Sequence, residues 1–205
     1  MLNSIIAIVI SYLLGSISFS ILFARWLRKI DIRDHGSGNA GATNTLRVLG
    51  KGPAIAVFLL DIAKGSAAVL IGLWIGQNND WVPVICGLAV IGGHNWPIYF
   101  RFKGGKGIAS TVGALIVWAF LPTLIAGILA ILIIVITRYV SLGSMIFAVC
   151  LPILFYFFDL EAPYIWGALV VAVLAVVRHR KNIVKLMNGT ENKLGSGKKG
   201  EPHGV

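Results

Sequence analysis

Six continuous apolar runs constrain this chain more than anything else in it: 4–24, 53–76, 81–98, 108–137, 142–158 and 162–177. A helix needs roughly 17–25 predominantly apolar residues to cross the hydrocarbon core of a bilayer. The runs are unbroken rather than alternating, which excludes a β-barrel. With 57% hydrophobic and only 13% charged residues, the chain is no ordinary soluble domain. The expected fold class is all-α, a polytopic bundle of transmembrane helices. The first run follows no basic stretch and precedes no small-residue cleavage site, so it reads as a retained span. At 205 residues the chain is expected to hold one integral membrane domain, 1–188. A polar tail, 189–205, follows, disordered in its last ten residues.

The formal charge of +10 is unevenly spread. Six basic residues fall between Arg25 and Lys51, three between Arg101 and Lys106, one at Arg138, and seven from Arg178 onward. The connections 77–80 and 159–161 carry none, and hold Asp80, Asp159 and Glu161. Basic connections stay cytoplasmic. That rule splits the long run 108–137, because a single span there would put Arg138 and the later basic cluster outside. The break is expected near Leu121-Pro122-Thr123, leaving two short halves of about 20 Å each. Seven helices result, with the N-terminus outside and the C-terminus in the cytoplasm. The same distribution explains the charge without nucleic acid.

Small residues four apart, Gly72 with Gly76 and Ser11 with Gly15, predict close helix contacts. Trp26, Trp81, Trp96 and Tyr99 fall near the expected interfaces. Cys86 and Cys150 lie inside apolar runs and read as buried thiols. No HxxxH, HExxH or CxxC spacing exists, so no metal site is expected.

Four polar segments then need explaining, and the topology puts all four at the cytoplasmic side. They are 35–47, HGSGNAGATNTLR; 60–65, LDIAKG; 92–107, GGHNWPIYFRFKGGKG; and 178–191, RHRKNIVKLMNGTE. Glycine clusters are ordinarily turns and basic loops ordinarily only set topology. Four such segments on one side, dense in glycine, lysine and arginine, exceed what connectors require. Glycine admits backbone N–H groups close to an anion, and Arg and Lys add charge. The combination suits phosphate. It is neither a Walker A loop nor a dinucleotide fingerprint, since Gly107 follows Lys106 and no strand precedes the glycines. Asp61 and Lys64 share one helix face inside a span, where the plainer role is a structural ion pair. His179 stands three before Asn182 and shares its face if that segment is helical.

Together the segments resemble the bacterial membrane acyltransferases that acylate glycerol 3-phosphate from an acyl phosphate. The shared motifs are GSGNxGATNxxR at 36–47, DxxKG at 61–65, GHxxPxFxxFxGGKG at 93–107, with Tyr99 at its first phenylalanine, and RHxxNIxRLxxGxE at 178–191, with Lys185 where arginine is usual. The resemblance covers nearly the whole chain in order. It implies a seven-helix enzyme of the bacterial cytoplasmic membrane, its site facing the cytoplasm, making lysophosphatidic acid for phospholipid synthesis. It implies no cofactor and no acyl-CoA or acyl carrier protein donor. On that reading Ser37, Arg47, Lys106 and Asn182 hold glycerol 3-phosphate. Gly38, Asn39, Gly41, Thr43, Asn44, Gly104, Gly105 and Gly107 hold the acyl phosphate. His179, Asn182 and Lys106 act at the reacting atoms, and Asp61, Lys64, His94, Asn95 and Glu191 support them.

Acyl phosphate is already activated, so no serine or cysteine nucleophile is required. The hydroxyl proton can pass to His179 or to an oxygen of the donor's own phosphate. The second is favoured, because crowded cations lower the basicity of His179. A small-anion or phosphate-ester transporter is the rival, weakened by one-sided clustering and the lack of an inverted repeat. A basic membrane anchor is the third reading, and it leaves the glycines unexplained.

Overall fold

The protein is described here from a computed structural model covering residues 1–76 and 79–195. Among these residues there is no strand. Ten α-helices follow one another: α1 (Leu2–Gly15), α2 (Phe19–Arg28), α3 (Ala42–Leu49), α4 (Lys51–Gly76), α5 (Trp81–Asn95), α6 (Ile108–Trp118), α7 (Phe120–Thr137), α8 (Val140–Phe157), α9 (Ala162–Arg178) and α10 (Arg180–Met187). Four segments are long and apolar enough to cross a bilayer, Leu2–Arg28 across its break, α4, α7 and α8. α9 and α10, bent 58° at His179, reach that length only if the broken pair is counted as one segment. By length, α5 with 15 residues and α6 with 11 fall short of a full crossing.

Two breaks differ from expectation. The long run does divide, but at Ala119, not at Leu121-Pro122-Thr123. Pro122 has no N–H to give the carbonyl four residues earlier, Trp118, and its ring crowds that carbonyl. The helix therefore ends one turn upstream, and Pro122 falls in the first turn of α7, where its missing N–H costs nothing. Thr123 Oγ1 donates to the Leu115 carbonyl at 3.0 Å, beside the Ala119 N–H at 2.8 Å, and ties the two halves across the break. The halves are unequal, about 16 Å and 27 Å at 1.5 Å per residue. The first run is also divided, at Ser16–Ser18. There Lys64 Nζ donates to the carbonyls of Gly15 at 3.1 Å and Ile17 at 2.7 Å. Interrupted backbone at membrane depth persists only where protein groups satisfy it, and a buried ammonium does so here.

α4 is the central helix, packed by α1, α3, α5 and α6; α7, α8 and α9 form a flanking layer that joins through α5 and α6. Backbones come close wherever a glycine faces them. A Cβ on Gly72 would lie 2.6 Å from Pro83 Cα, and one on Gly15 would collide with the Val90 carbonyl. The expected small-residue contacts are thus helix crossings, in which dispersion replaces the hydrophobic effect. Trp118 fills the layer between α5 and α9, its indole N–H reaching the Pro83 carbonyl at 3.4 Å.

The connections sort by charge. At one end Arg178 Nη2 donates to the Gly105 carbonyl at 2.6 Å, Arg33 to those of Phe100 and Lys103, and Arg138 to that of Leu194. At the other end Tyr164 Oη donates to Asp80 at 3.0 Å. Residues 189–195 lie along the basic end, tied by Leu194 N–H to the Arg138 carbonyl at 2.7 Å. The disorder expected at the tail's end falls on residues outside those described.

Candidate active site

The first glycine-rich loop is built by its own side chains. Asp31 accepts from the backbone and guanidinium of Arg33, and these bonds hold its carboxyl at about 2, burial opposing. Arg33 then spans to the third segment through the Phe100 carbonyl at 2.9 Å. Gly36 and Gly38 adopt left-handed backbone, φ +62° and +71°, which turns the chain back toward the start of α3. Asn44 closes the turn. Its amide nitrogen donates to the carbonyls of Ile32 and His35, and its oxygen accepts from Ser37 N–H at 2.8 Å. Asn44 is therefore spent on the loop and has no donor left for a ligand, a correction to its expected role.

The third segment turns sharply through Arg101 and Phe102, both left-handed, and returns along His94. Gly105 N–H donates to the His94 carbonyl at 3.1 Å. Arg178 clamps the Gly105 carbonyl while its guanidinium lies over the Trp96 ring. Gly105 has no room for a side chain, since a Cβ would collide with His94 Nε2 and with the Ala40 carbonyl of the first loop. The two glycine loops thus meet there at backbone distance. Gly107, φ +79°, swings the chain into α6 and frees the amides at its start.

The fourth segment supplies a bonded chain of side chains. Asn182 Oδ1 accepts a short bond from Lys106 Nζ, and its Nδ2 donates to Glu191 Oε1 at 2.8 Å. The same carboxylate oxygen accepts from Ser141 Oγ at 2.9 Å. His179 sits at the bend between α9 and α10, 2% exposed, its Nδ1 2.7 Å from the Ala175 carbonyl. A carbonyl only accepts, so the proton is on Nδ1 and Nε2 carries the lone pair. Burial, then the Lys106 charge, pushes His179 down to about 4. Burial also brings Lys106 down to about 8, against the pull of Glu191 and with the push of Arg178, Arg47 and Lys185.

Under the loops lies the cluster Asp61, Lys64 and His94. Lys64 Nζ is 2.8 Å from Asp61 Oδ1, off the hydrogen-bond axis, and 3.1 Å from His94 Nδ1. The spacing of Asp61 and Lys64 did foretell the pair; it could not foretell His94 or the carbonyls of the α1–α2 break.

A cavity of about 650 Å³ joins these parts. Ser37, Gly38, Asn39, Gly41, Thr43, Asn44, Arg47, Asp61, His94, Gly104, Lys106, Gly107, His179, Asn182 and Glu191 all border it. Lys64, Asn95 and Gly105 do not; Asn95 is 1% exposed beside Gly107, its amide unbonded, and Gly105 joins the two loops. Ser141 and Ser144 of α8 also border the cavity and were missed. Their signal was present, two serines three apart at the basic end of an apolar run. Beyond the polar mouth the cavity runs on between α6 and α7, along Ile108, Val112 and Ile116 on one side and Leu124, Gly127 and Ile131 on the other. Neither cysteine borders it, and among the described residues no three His, Cys, Asp or Glu gather as a metal site would need.

Comparison with known proteins places the chain. The family model described as glycerol-3-phosphate acyltransferase matches residues 5–189. A glycerol-3-phosphate acyltransferase of Shouchella clausii is 56% identical over 202 residues, covering 95% of this chain and 98% of the relative. One of Halalkalibacterium halodurans is 53% identical, covering 90% and 92%. The crystal structure of PlsY (YgiH), an integral membrane glycerol 3-phosphate acyltransferase, in its glycerol 3-phosphate form superposes with a TM-score of 0.90 at 35% identity, covering 94% of this chain and 96% of that one. Its lysophosphatidic acid form matches with a TM-score of 0.87.

Proposed function

The chain belongs to the glycerol-3-phosphate acyltransferase family, and from that membership we propose that its donor is an acyl phosphate. The acyl group passes to the 1-hydroxyl of sn-glycerol 3-phosphate without a covalent acyl-enzyme. The membership displaces the small-anion transporter. The observation that carries the donor reading is the single cavity with two kinds of lining, glycine loops and cations at its mouth and an apolar arm behind. Two phosphates and one acyl chain need just that division. We also place all seven apolar segments across the cytoplasmic membrane, with the basic end and the cavity mouth inside, because basic connections are retained there.

The chemistry follows from the lining. Lys106 and Arg47 hold the acceptor's phosphate as charged donors, Lys106 oriented by Asn182 and Glu191. His179 Nε2 accepts from the attacking hydroxyl and aligns it. The hydroxyl oxygen bonds to the acyl carbon, the tetrahedral intermediate collapses, and the bond to the phosphate oxygen breaks. His179, held near 4, is a poor terminal base at neutral pH. The proton goes to an oxygen of the departing phosphate, and phosphate leaves. The loop amides stabilise the charge as it moves there.

The test is purified protein with labelled glycerol 3-phosphate and palmitoyl phosphate, palmitoyl-CoA or palmitoyl acyl carrier protein. Product from the first alone is expected. Product from either thioester alone would overturn the donor reading.

Two further results are expected. Lys106 must be charged to hold phosphate, and its proton is lost as pH rises through about 8. Activity should therefore fall above that pH, and Lys106→Arg should remove the alkaline limb while lowering the plateau. An unchanged limb would assign it elsewhere. In the apolar arm a Cβ on Gly127 would meet open space. Gly127→Leu should fill it and exclude the far end of a long chain. Burial of a few methylenes is at stake, about 0.8 kcal/mol each, so KM for palmitoyl phosphate should rise on the order of 10–100-fold. Octanoyl phosphate should be unaffected, and an equal change for both would refute an acyl arm at this point.

A further inference from the structure

We propose that His94 is a substrate-contacting residue: its Nε2–H, fixed by Lys64, donates to the donor's phosphate where the two glycine loops meet. The inference rests on the acyl phosphate reading above.

The tautomer comes first. Lys64 has three ammonium hydrogens, and three acceptors surround it in hydrogen-bond geometry: the Gly15 carbonyl, the Ile17 carbonyl and His94 Nδ1. Asp61 supplies charge to the group but stands off the hydrogen-bond axis. A neutral imidazole that accepts at Nδ1 carries its proton on Nε2. Asp61, at 3.5 Å from Nδ1, would favour the opposite tautomer only if Lys64 gave up its bond to the ring. Of the two contacts to Nδ1 the Lys64 ammonium is the nearer, at 3.1 Å.

Direction comes second. Nε2 lies on the ring edge away from Lys64, beneath Gly105 and close to the Ala40 carbonyl. There the first and third glycine-rich segments touch. The His94 side chain is only 5% exposed, yet it borders the cavity. Among the described residues Nε2 makes no hydrogen bond, whereas Nδ1 is bonded to Lys64. Nε2 is thus the ring nitrogen free to meet a ligand, and an anion at the loop junction would accept from it. Gly104, Gly107 and Lys106 border the same cavity and face such an anion from one side, Gly38, Asn39 and Gly41 from the other. The Asp61 carboxylate also borders it and would repel phosphate, which gives Lys64 a second task in cancelling that charge. Lys64 is a positioning residue in this arrangement, and His94 the group that touches substrate.

The experiment uses the full chain in nanodiscs. Glutamine can place an amide N–H near Nε2, while asparagine reaches only as far as Nδ1. His94→Gln should keep the KM for palmitoyl phosphate within about threefold. His94→Asn and His94→Leu should raise it about 10–100-fold, the loss of one hydrogen bond to a charged group. KM for glycerol 3-phosphate should stay unchanged in all three. Nitrogen NMR of labelled histidine in the unmutated protein should show a protonated Nε2 whose signal moves when palmitoyl phosphate is added. Equal loss in His94→Gln and His94→Asn would overturn the proposal. So would a loss confined to thermal stability, as a bond to the Ala40 carbonyl would produce, or an Nε2 signal indifferent to the donor. A wild-type protein inactive with acyl phosphate but active with a thioester would instead fail the donor reading, and is told apart by the unmutated control.

Discussion

Lys106→Met should lower kcat/KM by about a hundredfold to a thousandfold, the size seen when one preorganised charged donor leaves a site. Lys106 follows the glycines that line the mouth, and its ammonium is held by Asn182, itself held by Glu191 and, through that carboxylate, Ser141. Three chain segments far apart in sequence thus set one nitrogen. Methionine keeps the stem and deletes the charge, and the buried surroundings that already press Lys106 toward neutrality tolerate that deletion. The melting temperature should barely change. Steady-state kinetics beside a melt in detergent separates the two effects. A variant within about threefold of the parent, or one that loses activity only because it unfolds, would remove Lys106 from the reaction. Glu191→Gln should give a smaller loss of the same kind, because the amide still accepts from Ser141 but with less charge.

Lys64→Met should be the most destabilising single substitution in the chain. The side chains of Lys64 and Asp61 are 1% and 2% exposed, at 2.8 Å from each other. Removing one partner of such a pair leaves a buried charge uncompensated and costs about 3–5 kcal/mol. Here it also strips the carbonyls of Gly15 and Ile17 at the α1–α2 break. Asp61→Asn with Lys64→Met removes both charges and should recover part of the loss, giving a coupling of about 0.5–3 kcal/mol in a double-mutant cycle. Thermal unfolding in one detergent would measure all four corners. Additive losses would mean that the two charges act independently and that Lys64 is held for the broken helix alone.

The four polar segments were legible because each combines glycine, amide and cation where apolar sequence surrounds it, and because the charge count brings them to one end. Six apolar runs sufficed for an all-helical membrane fold. The break before Pro122 was legible as an event but not as a place, since proline disturbs the turn behind it rather than its own position. Asn44 shows a different limit. Its type and setting suit a phosphate contact, yet the fold spends its whole amide on Ile32, His35 and Ser37. Ser141 and Ser144 were passed over because two hydroxyls at a helix start resemble any helix end.

The sequence by itself determined the membrane class, the chemistry of the loops and the residue types facing an anion, because hydropathy, glycine content and charge act locally and survive without coordinates. Only the tertiary structure decided which of those residues meet. The bonds from Lys106 to Asn182 and from Ser141 to Glu191 join helix ends that the chain separates by whole spans. So do the contact of Gly105 with the Ala40 carbonyl, and the reach of Lys64 across to Gly15 and Ile17. Such pairings depend on how close helices can approach, which is set by packing at Gly15, Gly72 and Gly105 together, and no local pattern encodes that sum.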